Sequence, residues 1–312
     1  MEKNLYIDAS HPDETRIVLK SDNGIEEYEY EDKNNLNFKN NIYLATVSRV
    51  EPSLQAAFIN FGRVKHGFLA FNDIQSDYYQ IPTEDKEKLQ EAEEKIREDL
   101  KNELKSENEA KDKKLKKKDI DEHAQEENNV QLDEKKQDEN TREKLKNSYG
   151  VKRYKIQEVI KPGQVILIQV TKEERGNKGA ALTTFISLAG KYMVLMPNTA
   201  KGGGISRKIF LSTDRIKIRK ILNEIEIPKS MGVIVRTAGS NKTKNEIEKD
   251  FKNTIKTWEQ IRNTALDSDA PSLIYEEGDI IKRALRDIYD NDTTNIHIDG
   301  DDGYKKAKLF IK

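Results

Sequence analysis

The residues best suited to chemistry lie between Lys172 and Lys208, in the run KEERGNKGAALTTFISLAGKYMVLMPNTAKGGGISRK. Arg175, Lys178, Arg207 and Lys208 bring positive charge, while Gly176, Gly179, Gly190 and Gly202-Gly203-Gly204 punctuate the chain around one apolar run, Tyr192–Met196. Glycines let the backbone turn sharply or come close to a ligand, and successive N–H groups in such turns form a concave seat for an anion. The same residues also read as three surface turns carrying solvated charge. Further along, Val233-Ile234-Val235 leads into Arg236-Thr237-Ala238-Gly239. An arginine fork bonds phosphate oxygens in bidentate fashion, and a threonine hydroxyl adds another donor. The alternative there is a surface ion pair plus a cap for the next segment. Upstream, AAFINF and HGFLAF carry Phe58 and Phe68, with Lys65 and His66 adjacent. An exposed aromatic on a small barrel stacks single-stranded bases, for about 1–3 kcal/mol per base. The barrel interior is the commoner fate of phenylalanine, and the apolar neighbours leave both placements open.

Other chemistries find no support. No G-x-x-x-x-G-K-[ST] phosphate loop occurs, and neither a nucleophile elbow nor a zinc-binding helix is present. The chain has no cysteine, which excludes disulfides and thiolate metal sites within these residues, and His11, His66, His123 and His297 lack metal-ligand spacing. Asp8, Asp287, Asp299, Asp301 and Asp302 are of the type that holds Mg²⁺, but Asp299-Gly300-Asp301-Asp302-Gly303 reads as a turn without calcium-loop spacing. The residues themselves yield no catalytic site.

Strands and helices must position these groups. Leu5–Ile7 is predicted to be a strand, and Asp22-Asn23-Gly24 between Arg16–Lys20 and Ile25–Tyr30 is a hairpin signal. Short apolar stretches at Ile42–Val50, Leu54–Phe61 and Phe68–Phe71 suggest a small barrel. The pattern stops near Pro82. From Glu84 to Lys146 the chain holds 17 basic and 22 acidic residues and no aromatic, a net of −5 that leaves the remainder at +4. This tract reads as disordered or marginally helical. A strand at Val165–Val170 then resumes the barrel, so the tract is an insertion in it, at small cost because closure entropy grows slowly with loop length. Helices follow at Arg215–Ile225 and along Ile247, Phe251, Ile255, Trp258 and Ile261. A last mixed α/β piece runs through Leu273–Tyr275, Ile281–Ile288 and Ile296–Ile298 to Lys312, with no evident closing element.

NIYLATVSRVEPSLQAAFINFG, HGFLAF, KEERGNKGAALTTFISLAGKYMVLMPN, GGGISRK and VIVRTAG resemble, in order and spacing, the N-terminal half of the bacterial ribonuclease E/G endoribonucleases. The likeness covers nearly all of the chain except the charged tract. It implies an α+β multi-subdomain fold: an S1 barrel of OB type inserted in a split RNase H-like α/β subdomain, then a 5′-sensor subdomain. The expected boundaries are 1–38 for the first RNase H-like segment, 39–83 and 152–184 for the S1 domain, 84–151 for the insertion, 185–270 for the sensor and 271–312 for a second, incomplete RNase H-like segment. The family's S1 contacts to RNA fall on Phe58, Phe68 and Lys178. Its pocket for an RNA 5′-monophosphate falls on Gly190, Val194, Arg236 and Thr237.

The resemblance further implies Mg²⁺-assisted phosphodiester hydrolysis by carboxylates of a later DNase I-like subdomain, together with a later cysteine zinc link in the ribonuclease E branch. This chain then resembles an N-terminal fragment or the product of a shortened gene, expected to bind RNA without cutting it. The charged insertion points to the E branch. The implied role is recognition of single-stranded RNA with a 5′-monophosphate, not DNA, in RNA decay and in rRNA and tRNA processing. A homo-oligomer would form through the absent C-terminal region, and degradosome-type partners are not specified. The expected location is cytoplasmic, peripheral to the inner membrane for a full-length protein. Two alternatives are a non-catalytic S1-type RNA-binding protein and a scaffold that recruits a partner through its charged tract.

Overall fold

The computed structural model describes residues 3–11, 13–32, 38–87, 91, 154–174, 178–199, 204–228, 230–277, 280–289 and 292–311. The charged tract lies outside these residues apart from 84–87 and 91, as do Arg175, Gly176, Gly202 and Gly203. The fold is α+β, and three sheets organise it.

The first sheet joins segments far apart in the sequence. Strands β1 (Lys3–Asp8), β2 (Glu14–Ser21) and β3 (Gly24–Asp32) form an antiparallel meander, β2 and β3 turning at Asp22-Asn23 where the D-N-G signal predicts a hairpin. Gly24 has φ +129°, which a side chain would oppose.

The second sheet is a closed five-stranded barrel of OB type. It contains β4 (Ile42–Glu51), β5 (Ala56–Asn60), β6 (Gly67–Ala70), β7 (Val165–Lys172) and β8 (Ala181–Thr183), and closes where β4 pairs antiparallel with β7. A register irregularity between Val47 and Arg49 lets β4 curve from one neighbour to the next. Val47, Ile59, Phe61, Leu69, Ile166 and Ile168 fill the interior. A four-residue helix, α1 (Ile156–Val159), which the sequence does not announce, adds Ile156 and Val159 to that core. The two ends of the charged tract meet here. Gln80 N–H donates to Val159 O at 2.9 Å, the Gln164 amide donates to Tyr78 O at 2.8 Å, and Tyr154 hydrogen-bonds Asp85.

The third sheet has the order β11-β12-β10-β9, from β9 (Leu188–Ala189), β10 (Met193–Met196), β11 (Gly204–Ile205) and β12 (Gly232–Val235). Helix α2 (Ser212–Glu224) packs near β11. Helix α3 (Lys244–Leu266) is started by a capping box in which Thr243 and Glu246 exchange hydrogen bonds. Its predicted face is the one used: Ile247, Phe251 and Ile261 are buried against Leu188, Met193 and Leu195, with Ile255 and Trp258 beside them.

The chain then returns to both earlier sheets. Strand β13 (Ser272–Tyr275), expected within the last α/β piece, pairs instead with Ile42–Leu44 of β4, whose edge is free before β5 begins. Helix α4 (Ile280–Asp287) lays Ile280, Ile281, Ala284 and Leu285 on the Leu5, Ile7, Ile17 and Leu19 face of the first sheet. Strand β14 (Thr293–Asp299) pairs parallel with β1, from Lys3↔Thr293 to Asp8↔Asp299. Gly300 makes the turn at φ +98°, but Asp301 and Asp302 are the first residues of a helix, α5 (Asp301–Ile311). Acidic residues favour that position because they face the helix's positive end. The segment read as a turn thus opens a helix. No helix among the described residues is long and apolar enough to cross a membrane.

A Cβ at Gly179 would lie 1.9 Å from the carbonyl oxygen of His66, a clash with backbone that cannot swing away. Gly179→Ala is expected to cost about 2 kcal/mol or more in urea unfolding by forcing β8 off β6. Gly204→Ala, whose nearest neighbour would be 3.9 Å away, should stay within about 0.5 kcal/mol.

Candidate functional site

The barrel wall brings the sequence-predicted aromatics together. Alternation puts Ala57, Ile59 and Leu69 inside, so Phe58 on β5 and Phe68 on β6 point outward, half-exposed. They are register partners, with ring centroids 6.1 Å apart and planes at 76°. Arg49, opposite Phe58 on β4, holds its guanidinium 4.4 Å from the Phe58 centroid. The sequence could not choose between core and wall for the two phenylalanines; pairing register decides it. Arg49 is not evident from sequence because the irregularity in β4 shifts its alternation.

Lys178 is exposed and enters β8 beside β6. The close approach of Gly179 to His66, and the 2.7 Å bond from Phe68 N–H to Ala180 O, fix that entry. Lys65, on the β6 side, pairs with Glu174 at 3.6 Å. The wall thus gathers two aromatic faces and several cations, which suits a chain of stacked rings joined by anions.

The second group surrounds Gly190, which follows β9. Its N–H donates to Met193 O at 2.7 Å, closing the turn into β10. The next three amides, of Lys191, Tyr192 and Met193, all donate to the Asp250 carboxylate of α3, at 3.1, 2.8 and 3.2 Å. A Cβ on Gly190 would sit 2.6 Å from Asp250 Oδ2, so only glycine admits the carboxylate this closely. The anion seat expected at this glycine turn therefore exists and is filled by the protein's own Asp250.

The other expected members lie close by. Arg236 follows β12, and its backbone N–H donates to Tyr192 O at 2.8 Å. Its Nη1 donates to Gly190 O at 2.9 Å and pairs with Asp287 Oδ1 at 2.6 Å. Its Nε and Nη2 bond no group among the described residues. Thr237 is exposed at the start of a single 3₁₀ turn, Thr237–Gly239. Val194 is half-buried on the side of β10 opposite Met193 and Leu195, paired with Ala189 and Ile234. So Gly190 and Arg236 touch, Thr237 adjoins Arg236, and Val194 lies on the neighbouring strand. Two lysines add positive potential: Lys191 Nζ is 4.8 Å from the Tyr289 ring centroid, and Lys242 Nζ is 5.2 Å from that of Tyr192.

Asp287, one of the acids considered for Mg²⁺, serves here as a partner of arginines. Burial pushes its carboxyl pKa up, but Arg286 and then Arg236 outweigh this and hold it below the ordinary value. Asp8 and Asp299 pair across β1 and β14 and line a shallow cavity with Tyr6, His297 and Tyr304. Among the described residues no group of three or more histidine or carboxylate side chains is placed to hold a metal.

A closed OB-type barrel with an aromatic outer wall, beside a sheet that ends in an arginine at a glycine turn, makes this an α+β protein of barrel and sheet. Comparison narrows this. Residues 187–312 match the profile of the Ribonuclease E/G family. Ribonuclease E of Haemophilus influenzae is 33% identical over 311 residues, covering 99% of this chain and 26% of that protein. Ribonuclease E of Escherichia coli is 33% identical over 309 residues, covering 99% and 23%. Ribonuclease E of Synechocystis is 39% identical over 153 residues, covering 49% and 22%. The chain belongs to the ribonuclease E/G family. It spans about a quarter of the length of these relatives.

Asp250 neutralises three amides at one turn, and hydrogen bonds to a charged acceptor are the strong class. Asp250→Ala is expected to lower stability by about 3 kcal/mol, read as a shift in the urea midpoint. An unchanged midpoint would mean that water replaces the carboxylate at no cost.

Proposed function

We propose that this chain supplies RNA recognition for an endoribonuclease of the ribonuclease E/G type, in RNA decay and in rRNA and tRNA processing. In this reading the barrel wall of Phe58, Phe68 and Lys178 holds single-stranded RNA. The pocket of Gly190, Val194, Arg236 and Thr237 reads a 5′-monophosphate. One observation carries the second half: the Arg236 side chain is held through Nη1, its Nε and Nη2 have no partner among the described residues, and the exposed Thr237 is its neighbour in the chain. That edge of a guanidinium is the one that grips phosphate through two parallel bonds. The barrel half is supported by the outward Phe58–Phe68 pair, since base stacking needs only an accessible π-face.

The test is fluorescence anisotropy with a short single-stranded RNA carrying either a 5′-monophosphate or a 5′-hydroxyl, at two salt concentrations. Tighter binding of the monophosphate, weakening as salt rises, is expected. Arg236→Ala should remove the preference and leave affinity for the hydroxyl RNA in place. Phe58→Ala should weaken both RNAs alike, by about 1–3 kcal/mol. Equal losses for the two RNAs in Arg236→Ala would sink the assignment of the pocket. Equal binding of both RNAs to the unaltered chain would leave only a general single-strand binder of S1 type.

A further inference from the structure

We infer that Asp287 is a positioning residue for the phosphate pocket, holding the Arg236 guanidinium in its receiving orientation before RNA arrives. The inference rests on the proposed role of Arg236 and adds a residue outside the sequence-predicted set. Asp287 is at the C-terminal end of α4, far in sequence from Arg236, and meets it at 2.6 Å. Both of its oxygens are committed. Oδ1 accepts from Arg236 Nη1 and, at 3.1 Å, from Arg286 Nε; Oδ2 accepts from Arg286 Nη2 at 2.8 Å.

The fork of Arg286 thus clamps Asp287 from behind, and Arg286 is itself fixed. Its Nη1 donates to Glu277 Oε1 at 2.5 Å and to Ala189 O at 3.4 Å. Glu277 is 5% exposed at its side chain, and its backbone N–H donates to Asn41 Oδ1 at 3.0 Å. Asn41 is anchored to the barrel, its carbonyl accepting from Val170 N–H at 3.1 Å. Charges alternate along this line: Glu277, Arg286, Asp287, Arg236. The line runs from the barrel entry to the phosphate pocket, and each member is held by the next.

Two other roles for Asp287 disagree with these contacts. A competing anion would have to leave Arg236 when phosphate binds, yet Asp287 touches only Nη1 and leaves the Nε/Nη2 edge open. A repelling charge would push phosphate away, but the bidentate Arg286 pair already neutralises it. What remains is orientation. A free arginine side chain samples many rotamers, and holding it in one cuts the ordering cost of binding.

The experiment measures the ratio of affinities for 5′-monophosphate and 5′-hydroxyl RNA in the unaltered chain, Asp287→Ala and Asp287→Asn, with thermal unfolding alongside. Asp287→Ala should lower the ratio by about three- to tenfold, with hydroxyl-RNA affinity unchanged. Asp287→Asn keeps an Oδ1 acceptor and should recover most of the ratio. A merely structural residue would change the melting temperature and leave the ratio alone, which overturns the inference. A ratio that rises in either variant overturns it too, because Asp287 would then be a competitor. If Asp287→Ala does not fold, Asp287→Ser, which removes the carboxylate but keeps a polar group, takes its place with the same two outcomes. An unaltered chain with no preference for the monophosphate overturns the proposed function and this inference together. A normal preference untouched by Asp287→Ala overturns only the inference.

Discussion

The pairing of β4 with β7 is the contact on which the rest of the molecule depends. It joins Ile42–Thr46 to Val165–Gln169, across the whole charged tract, and closes the barrel. Without it β5 and β6 would have no second wall, and the interior around Ile59, Phe61 and Leu69 would stay wet. The same strand carries β13 and β5 along its other edge. The third sheet packs against this end of the barrel, with Ile42, Leu167 and Ile274 sharing its core. One curved strand therefore fixes both the aromatic wall and the cluster around Gly190 and Arg236. The tract is tolerated because its ends leave and rejoin the barrel side by side, so it adds length but not distance.

Much of this was legible in the sequence wherever local chemistry decides. The D-N-G turn and the apolar face of α3 each follow from residues within one or two turns of one another. The barrel's closure followed from the recurrence of short apolar runs, and the family from long ordered motifs. Pairings set at long range were not legible. Nothing in Ser272–Tyr275 says that its partner is β4, and nothing in AAFINF says which way Phe58 points until the register is known. The helix after Gly300 was hidden because acidic residues next to glycine serve a turn and a helix start equally well.

The Gly190–Arg236 cluster divides in the same way. Arg236, Thr237 and Gly190 announce themselves by type and spacing. Their supports do not: Asp250 and Asp287 are two carboxylates among 56 acidic residues, and only the fold selects them. Asp250 also explains the glycine at 190 without a ligand, since the small residue makes room for an internal carboxylate. A glycine in a basic turn is thus an incomplete sign of an external anion. What tells the two cases apart is whether the polar groups are already bonded, and two Arg236 nitrogens have no partner among the described residues.

The parallel pairing of β1 with β14 has a consequence for the order of assembly. Lys3 meets Thr293, so the earliest strands cannot be completed until nearly 300 residues have been made. At a synthesis rate of about 5–20 residues per second, that interval is roughly a quarter of a minute to a minute. Through it, the face of Leu5, Ile7, Ile17 and Leu19 has neither α4 nor β14 to cover it, while the barrel has all its strands on emergence of Thr183. The ribosome therefore delivers the strands of the barrel well before those that complete the first sheet, and the apolar meander waits uncovered in the interval.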